Sequence, residues 1–173
     1  MLDLNSPTLA RAKASQSLSA ALQERIDAAL AAERAEQPPR EYIGMSELGD
    51  ECLRRVYYNA EQAPRKPFRG SSLRAFEAGK LYEAMVARWL RLAGFDLRWE
   101  QQEIVTADGW IKGHTDGDLV GGPAFPGLIY PAIWENKALV AKYWRPYVKA
   151  GLRATEPKYY GQIQLYIGYS NYP

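Results

Sequence analysis

Cysteine is nearly absent: Cys52 is the only one in 173 residues. An internal disulfide is therefore excluded, and so is a zinc site built on several thiolates of this chain. Nowhere does the sequence run for about 18 apolar residues, so no segment reads as membrane-spanning. The first residues lack the basic-then-apolar pattern of a secretory leader, which makes the cytoplasm the expected location. An excess of one charge is missing too. Lys and Arg number 22 against 20 Asp and Glu, a net charge of +2, so any surface for nucleic acid has to be local. What the chain does have is apolar content, 47%, enough for one compact domain with a core.

Residues 1–40 are rich in the strong helix formers Ala, Leu, Glu, Arg and Gln. Ser6 is a candidate cap with Pro7 at the first helical position. Leu18, Leu22, Ile26 and Leu30 make one apolar stripe, and Pro38 and Pro39 end it. This predicts a helical extension, whole or broken, that docks on the core or on a partner. Residues 41–173 read as the main domain. A helix capped by Ser46 is expected through Ala60, followed by the basic loop PRKPFRGSS. A long helix follows, with Phe76, Gly79, Leu81, Met85, Val86, Trp89 and Leu90 on one face and Gly94 at its end.

From Asp96 the hydrophobic period changes to two, which predicts strands with a turn at Asp108-Gly109. Pro131 marks a bulge or an edge position at a strand start. The segment after Leu139 is a basic connection with short helical pieces, and KYYGQIQLYIGYS closes the chain as an apolar helix. Helices, then strands, then a helix is an α/β or α+β arrangement with helices on a mixed sheet.

Within IWENKAL, residues 133–139, Glu135 stands two residues before Lys137. On a strand, residues i and i+2 share a face. Ile133, Glu135, Lys137 and Leu139 then project to one side and Trp134, Asn136 and Ala138 to the other. Such a strand can lie inside a sheet and still present two charges at a cleft. Taken alone, the pair reads equally as an ion pair at a strand end. The stretch GHTDGDLV, residues 113–120, adds Asp116 and Asp118, again i and i+2, with Gly113 and Gly117 allowing close packing or a bulge. Taken alone, it reads as Asp and Gly used for turn geometry. Together, three carboxylates on paired strands would repel unless a divalent cation lay among them, and oxygen donors suit Mg²⁺ or Mn²⁺. His114 shares the Asp116 face, where it either contacts a phosphate or a metal, or is simply hydrogen-bonded.

Asp116, then a loop, then Glu135-Asn136-Lys137 resembles the active-site signature of the PD-(D/E)xK nucleases. Gln162 and Tyr166, one turn apart in GQIQLYI, resemble the Gln-x-x-x-Tyr motif of the RecB-like branch, which includes phage-type exonucleases. Glu83 stands in the preceding helix where this superfamily carries an acid, or a His in RecB-like members. The resemblance runs from about Ser46 to the end. It implies a restriction-endonuclease-like core, a mixed central sheet flanked by helices, with an extra N-terminal helix. It further implies a metal-dependent deoxyribonuclease of recombination or repair, in the host cytoplasm if phage-encoded. Asp116 and Glu135 would hold Mg²⁺ or Mn²⁺, with Glu83 and the Asn136 carbonyl as further ligands. Lys137 would act electrostatically, Gln162 would position the site, and Tyr166 would contact DNA or pack behind it. In this family a further strand follows the motif helix, so it is either absent or beyond Pro173. Implied partners are DNA, a single-strand annealing or recombination protein, and further copies of the chain.

The segment SELGDECLRRVYY is similar to RecB-like nucleases that hold a 4Fe–4S cluster; a cluster takes four thiolates, only Cys52 is present, and the resemblance implies that the other three would lie beyond the Gln-x-x-x-Tyr helix, past Pro173. A small buried cysteine on a helix core face is the plainer expectation. Arg54, Arg55, Arg74, Lys142 and Arg145, with aromatic residues interleaved, are candidates for phosphate contact and base stacking. Two other readings compete: a nuclease-like module that grips DNA ends or a protein without cutting, and a site-specific endonuclease of the same superfamily.

Overall fold

The computed structural model describes residues 17–170 and Tyr172. The chain forms two compact units, one of residues up to Pro38 together with Arg65–Ala78, the other of Pro39–Pro64 together with Gly79 onward. In the first unit, α1 (Leu18–Ala35) is capped by Ser17, whose hydroxyl accepts from the Ala20 amide at 3.3 Å. The expected cap at Ser6-Pro7 lies outside the described residues. Of the apolar stripe, Leu18, Leu22 and Ile26 are exposed within this chain. This unit is held by an Arg74–Asp27 ion pair, by Arg34 over the Phe68 ring, and by an edge contact of Phe68 with Phe76.

The second unit begins with β1 (Ile43–Gly44), α2 (Met45–Leu48) and α3 (Leu53–Ala60). The single helix expected from Ser46 to Ala60 is thus two. Gly49 ends α2 where a Cβ would come 2.6 Å from the Lys158 backbone, so only glycine permits that approach. Asp50 then bridges the break. Its carboxylate accepts from the Cys52 amide at 3.0 Å and pairs with Arg55 and Lys158. The amide first, and then the two cations, hold its acid form below the ordinary range against the opposing effect of desolvation. Cys52 sits at the start of α3 and is exposed, not buried as expected, because α3 has no buried residue.

The long helix, α4 (Gly70–Leu92), is present as predicted, but its inward face differs. Phe76, Leu81 and Trp89 are exposed, whereas Ala87 is buried and Leu90 packs beside it. Glu83 lies one turn before Ala87, on that inward face.

The strands form two three-stranded sheets rather than one central sheet. In the first, β4 (Ile111–His114) lies between β1, parallel to it, and β3 (Glu103–Val105), antiparallel. In the second, β5 (Gly117–Gly121) lies between β2 (Asp96–Arg98) and β6 (Ala132–Trp134), antiparallel to both. β4 and β5 are one run of chain broken at Thr115-Asp116, so the middle strand of one sheet leads into the middle strand of the other. The turn at Asp108-Gly109 joins β3 to β4, with Gly109 at φ 75°, as expected. Pro131 directly precedes β6, an edge strand, also as expected. β1 went unforeseen because two residues carry no period.

The chain continues through α5 (Ala141–Ala150), α6 (Leu152–Thr155) and α7 (Pro157–Ser170). One core joins Met45, Ile104 and Tyr166, with Ile133 against them; another joins Ala87, Leu97 and Leu119, with Trp134 against them. Neighbouring residues of β6 therefore serve opposite cores, which is the period of two at work. The α/β class is as the sequence predicts. Among the described residues no helix is long and apolar enough to cross a membrane.

Gly113 is the tightest point of the first core. A Cβ there would lie 2.5 Å from the Tyr166 ring and 3.0 Å from the Met45 side chain. Gly113→Ala should cost about 1–3 kcal/mol through overpacking. Gly121→Ala, whose Cβ meets nothing nearer than 4.0 Å, should cost much less in the same denaturant titration.

Candidate functional site

Three segments meet in a cleft of about 220 Å³ lined by Asp116, Glu135, Lys137, Gln162, Tyr166 and His114, together with residues before and within α2. β4 delivers His114 and then breaks, leaving Asp116 outside the ladder. β6 stops at Trp134, so Glu135 and Lys137 lie just beyond the strand instead of within it, as the sequence suggests. They still meet: the Lys137 ammonium donates to Glu135 Oε1 and sits 5.3 Å from the centre of the Tyr159 ring.

α7 brings Gln162 and Tyr166 to the same place. The Gln162 amide donates to Glu135 Oε1 at 3.0 Å and to the Tyr166 hydroxyl at 2.8 Å. Tyr166 in turn donates to the His114 carbonyl at 2.8 Å. Burial pushes the Tyr166 phenol up to about 12, so it stays a donor at neutral pH. With its residue only 2% exposed, Tyr166 packs behind the site and does not present a face for DNA.

The carboxylates are placed at a cost. Desolvation, the largest cause for each, raises both Asp116 and Glu135, while Lys137 opposes it. Asp116 Oδ2 accepts from the Asn136 amide at 2.6 Å. The Glu135 side chain is 6% exposed, and among the described residues its Oε2 has no hydrogen-bond partner. Glu83 is raised as well, by desolvation first and then by the charge of Asp116. Asp118, expected beside Asp116, is not at the cleft. β5 starts only at Gly117, so the period of two does not reach back to Asp116. Asp118 accepts from the Tyr172 hydroxyl at 2.7 Å instead.

The other predicted contacts disperse. His114 lines the cleft with a half-buried ring, 3.8 Å from Glu103. Arg55 is committed to Asp50, and Arg74 to Asp27 within the first unit. Arg54, Lys142 and Arg145 are exposed but do not line the cleft. The cations that do line it besides Lys137 are Arg40 and Lys112, each beside the Tyr42 ring at 5.9 and 5.6 Å. Neither stands in a motif, and both are brought there by the short β1–β4 pairing. Gln101 was also not foreseen: its amide donates to Glu83 Oε1 at 2.6 Å.

Among the described residues, no three His, Cys, Asp or Glu side chains gather closely enough to hold an ion by themselves. Mg²⁺ does not need that, since it keeps several waters and takes one or two carboxylates plus substrate phosphates. The Glu135 carboxylate beside the desolvated Asp116 fits such an ion, whereas Glu83 and Asn136, the other expected ligands, are not among the residues lining the cleft. Comparison with family models, with curated proteins and with solved structures returns no match.

Both raised carboxylates have the same linkage sign. Their folded values lie above the ordinary 3.8 and 4.5. The stability tied to their neutral forms is complete below those ordinary values and is lost as pH rises through the raised ones. In chelator, Asp116→Asn should therefore raise the thermal midpoint at pH 7 and leave it nearly unchanged at pH 4, as read by calorimetry.

Proposed function

We propose that this chain is a metal-dependent deoxyribonuclease that hydrolyses DNA phosphodiester bonds, an exonuclease of the RecB-like type acting at DNA ends in recombination or repair. The observation that carries the reading is the buried Glu135 carboxylate next to a second desolvated acid, Asp116, with a single ammonium, Lys137, beside them. That arrangement is costly unless it serves a cation. Asp116 and Glu135, with Glu83 and the Asn136 carbonyl, would hold Mg²⁺ or Mn²⁺. Such an ion, when bound, activates water and offsets charge on phosphate.

The protein groups have distinct tasks. Lys137 supplies positive charge where a phosphate oxygen becomes more negative. Its contacts with Glu135 and the Tyr159 ring hold the ammonium at the cleft. Gln162 fixes the rotamer of Glu135, and Tyr166 fixes Gln162. Arg40 and Lys112 add positive charge to the cleft wall, which suits a phosphodiester backbone. From Lys137 to Thr155 the chain carries Lys142, Arg145, Lys149 and Arg153 and no acid, and Tyr143 and Trp144 are exposed within it. That surface suits DNA strands approaching the site.

Lys137→Ala should fold normally and lose about 100-fold or more of Mg²⁺-dependent cleavage of end-labelled DNA, the scale of one lost electrostatic group. Full activity in that variant would overturn the assignment. A covalently closed circle should remain intact under conditions that digest linear DNA; its cleavage would indicate an endonuclease.

A further inference from the structure

We infer that Gln101 is a positioning residue that holds Glu83 beside the bend of Asp116 at one cation site, an inference that rests on the metal-site reading above. Gln101 lies in the loop between β2 and β3, with its backbone in the left-handed region at φ 58°; Trp99, two residues earlier, is there too at φ 49°. Residues other than glycine adopt this region rarely, and such conformations persist where the surroundings enforce them. Here the enforcement is visible. The Gln102 amide donates to the Trp99 carbonyl at 3.2 Å, and the Thr115 amide donates to the Gln102 carbonyl at 3.1 Å. The loop is thereby pinned to the bend that presents Asp116.

The side chain uses that placement. The side-chain amide donates to Glu83 Oε1 at 2.6 Å, and it also lies close enough to Asp116 to oppose the desolvation of that carboxylate. These two acids repel each other. Glu83 comes from a helix and Asp116 from a strand break. Without a donor between them, the Glu83 side chain is free to turn toward solvent. A neutral amide suits the task better than a cation would. Lysine or arginine at this position would neutralise the acids and compete with a bound metal, whereas an amide aligns them and leaves their charge in place. Gln101 acts through Glu83 and Asp116, so its role is to position.

Gln101→Gly separates the two contributions of this residue, because glycine adopts the same φ without strain and only the amide is lost. Mn²⁺ is titrated calorimetrically into the full chain without DNA, and the thermal midpoint is measured in chelator. The midpoint of the variant should equal or exceed that of the parent. Its Mn²⁺ dissociation constant should weaken about 10- to 100-fold, the usual effect of losing a group that orients metal ligands. Cleavage should recover the parent kcat once Mn²⁺ is raised to saturation, so that only the metal requirement moves. Gln101→Asn, one methylene short, should behave like the glycine variant. An unchanged Mn²⁺ constant in Gln101→Gly overturns this inference alone, whether or not the midpoint falls. Failure of the parent chain to bind Mn²⁺ overturns the metal-site reading and this inference with it.

Discussion

One chain of hydrogen bonds makes a site out of separate segments: the His114 carbonyl accepts from Tyr166, which accepts from Gln162, which also donates to Glu135. It links the end of β4, the face of α7 and the segment beyond β6. Each member is buried or nearly so, and in such surroundings an unmade hydrogen bond costs more than a made one contributes. Tyr166 is also a member of the core with Met45 and Ile104, so the packing of the fold and the alignment of Glu135 depend on the same residue. Gly113 completes the arrangement by leaving room for the Tyr166 ring against β4.

Charge is the opposing constraint. Asp116 and Glu135 are desolvated, and one ammonium stands with them. Lys137 shares Glu135 Oε1 with Gln162, which leaves Oε2 with no partner among the described residues. A protein selected for stability alone would have little reason to keep this arrangement, since replacing buried ionic groups by apolar ones is often neutral or favourable. The second core, by contrast, is ordinary: Ala87, Leu97 and Leu119 carry no such conflict. Burial of charge is not confined to the cleft, since Asp118 in β5 is desolvated too, but among the described residues only at the cleft do two such acids and an ammonium meet.

What the sequence made legible followed from period and spacing. Gln162 and Tyr166, four apart in an apolar helix, had to share a face. Glu135 and Lys137 had to lie on one side if the chain was extended, and they still meet although the strand stops before them. The α/β class followed from the change of period at Asp96. What stayed hidden depended on tertiary contacts. Nothing in GluGlnGlnGlu around residue 101 distinguishes a surface loop from one whose amide holds Glu83. The α2–α3 break depends on the closeness of Gly49 to Lys158, more than a hundred positions away. The wrong face of α4 came from counting large apolar residues, when the buried contact is made by Ala87, whose small size is what allows close approach. Arg74 looked available for phosphate because its partner, Asp27, lies far away in sequence.

The position of Asp116 explains why two sheets appear where one was anticipated. The β5–β6 ladder is in register at Gly117 and Trp134. One step further, Asp116 would face Glu135 as a strand residue, with its side chain held to one face of the sheet. Instead its carboxylate takes the Asn136 amide at 2.6 Å, so a side chain does what a backbone carbonyl would do in a continued ladder. That exchange satisfies a donor which would otherwise be left unpaired at a strand end. It also stops the strand, turns Asp116 into the cleft, and frees Glu135 and Lys137 from sheet geometry so that both can reach the same space. The break between β4 and β5 and the early end of β6 are therefore one event, and the bringing together of the acids is its consequence.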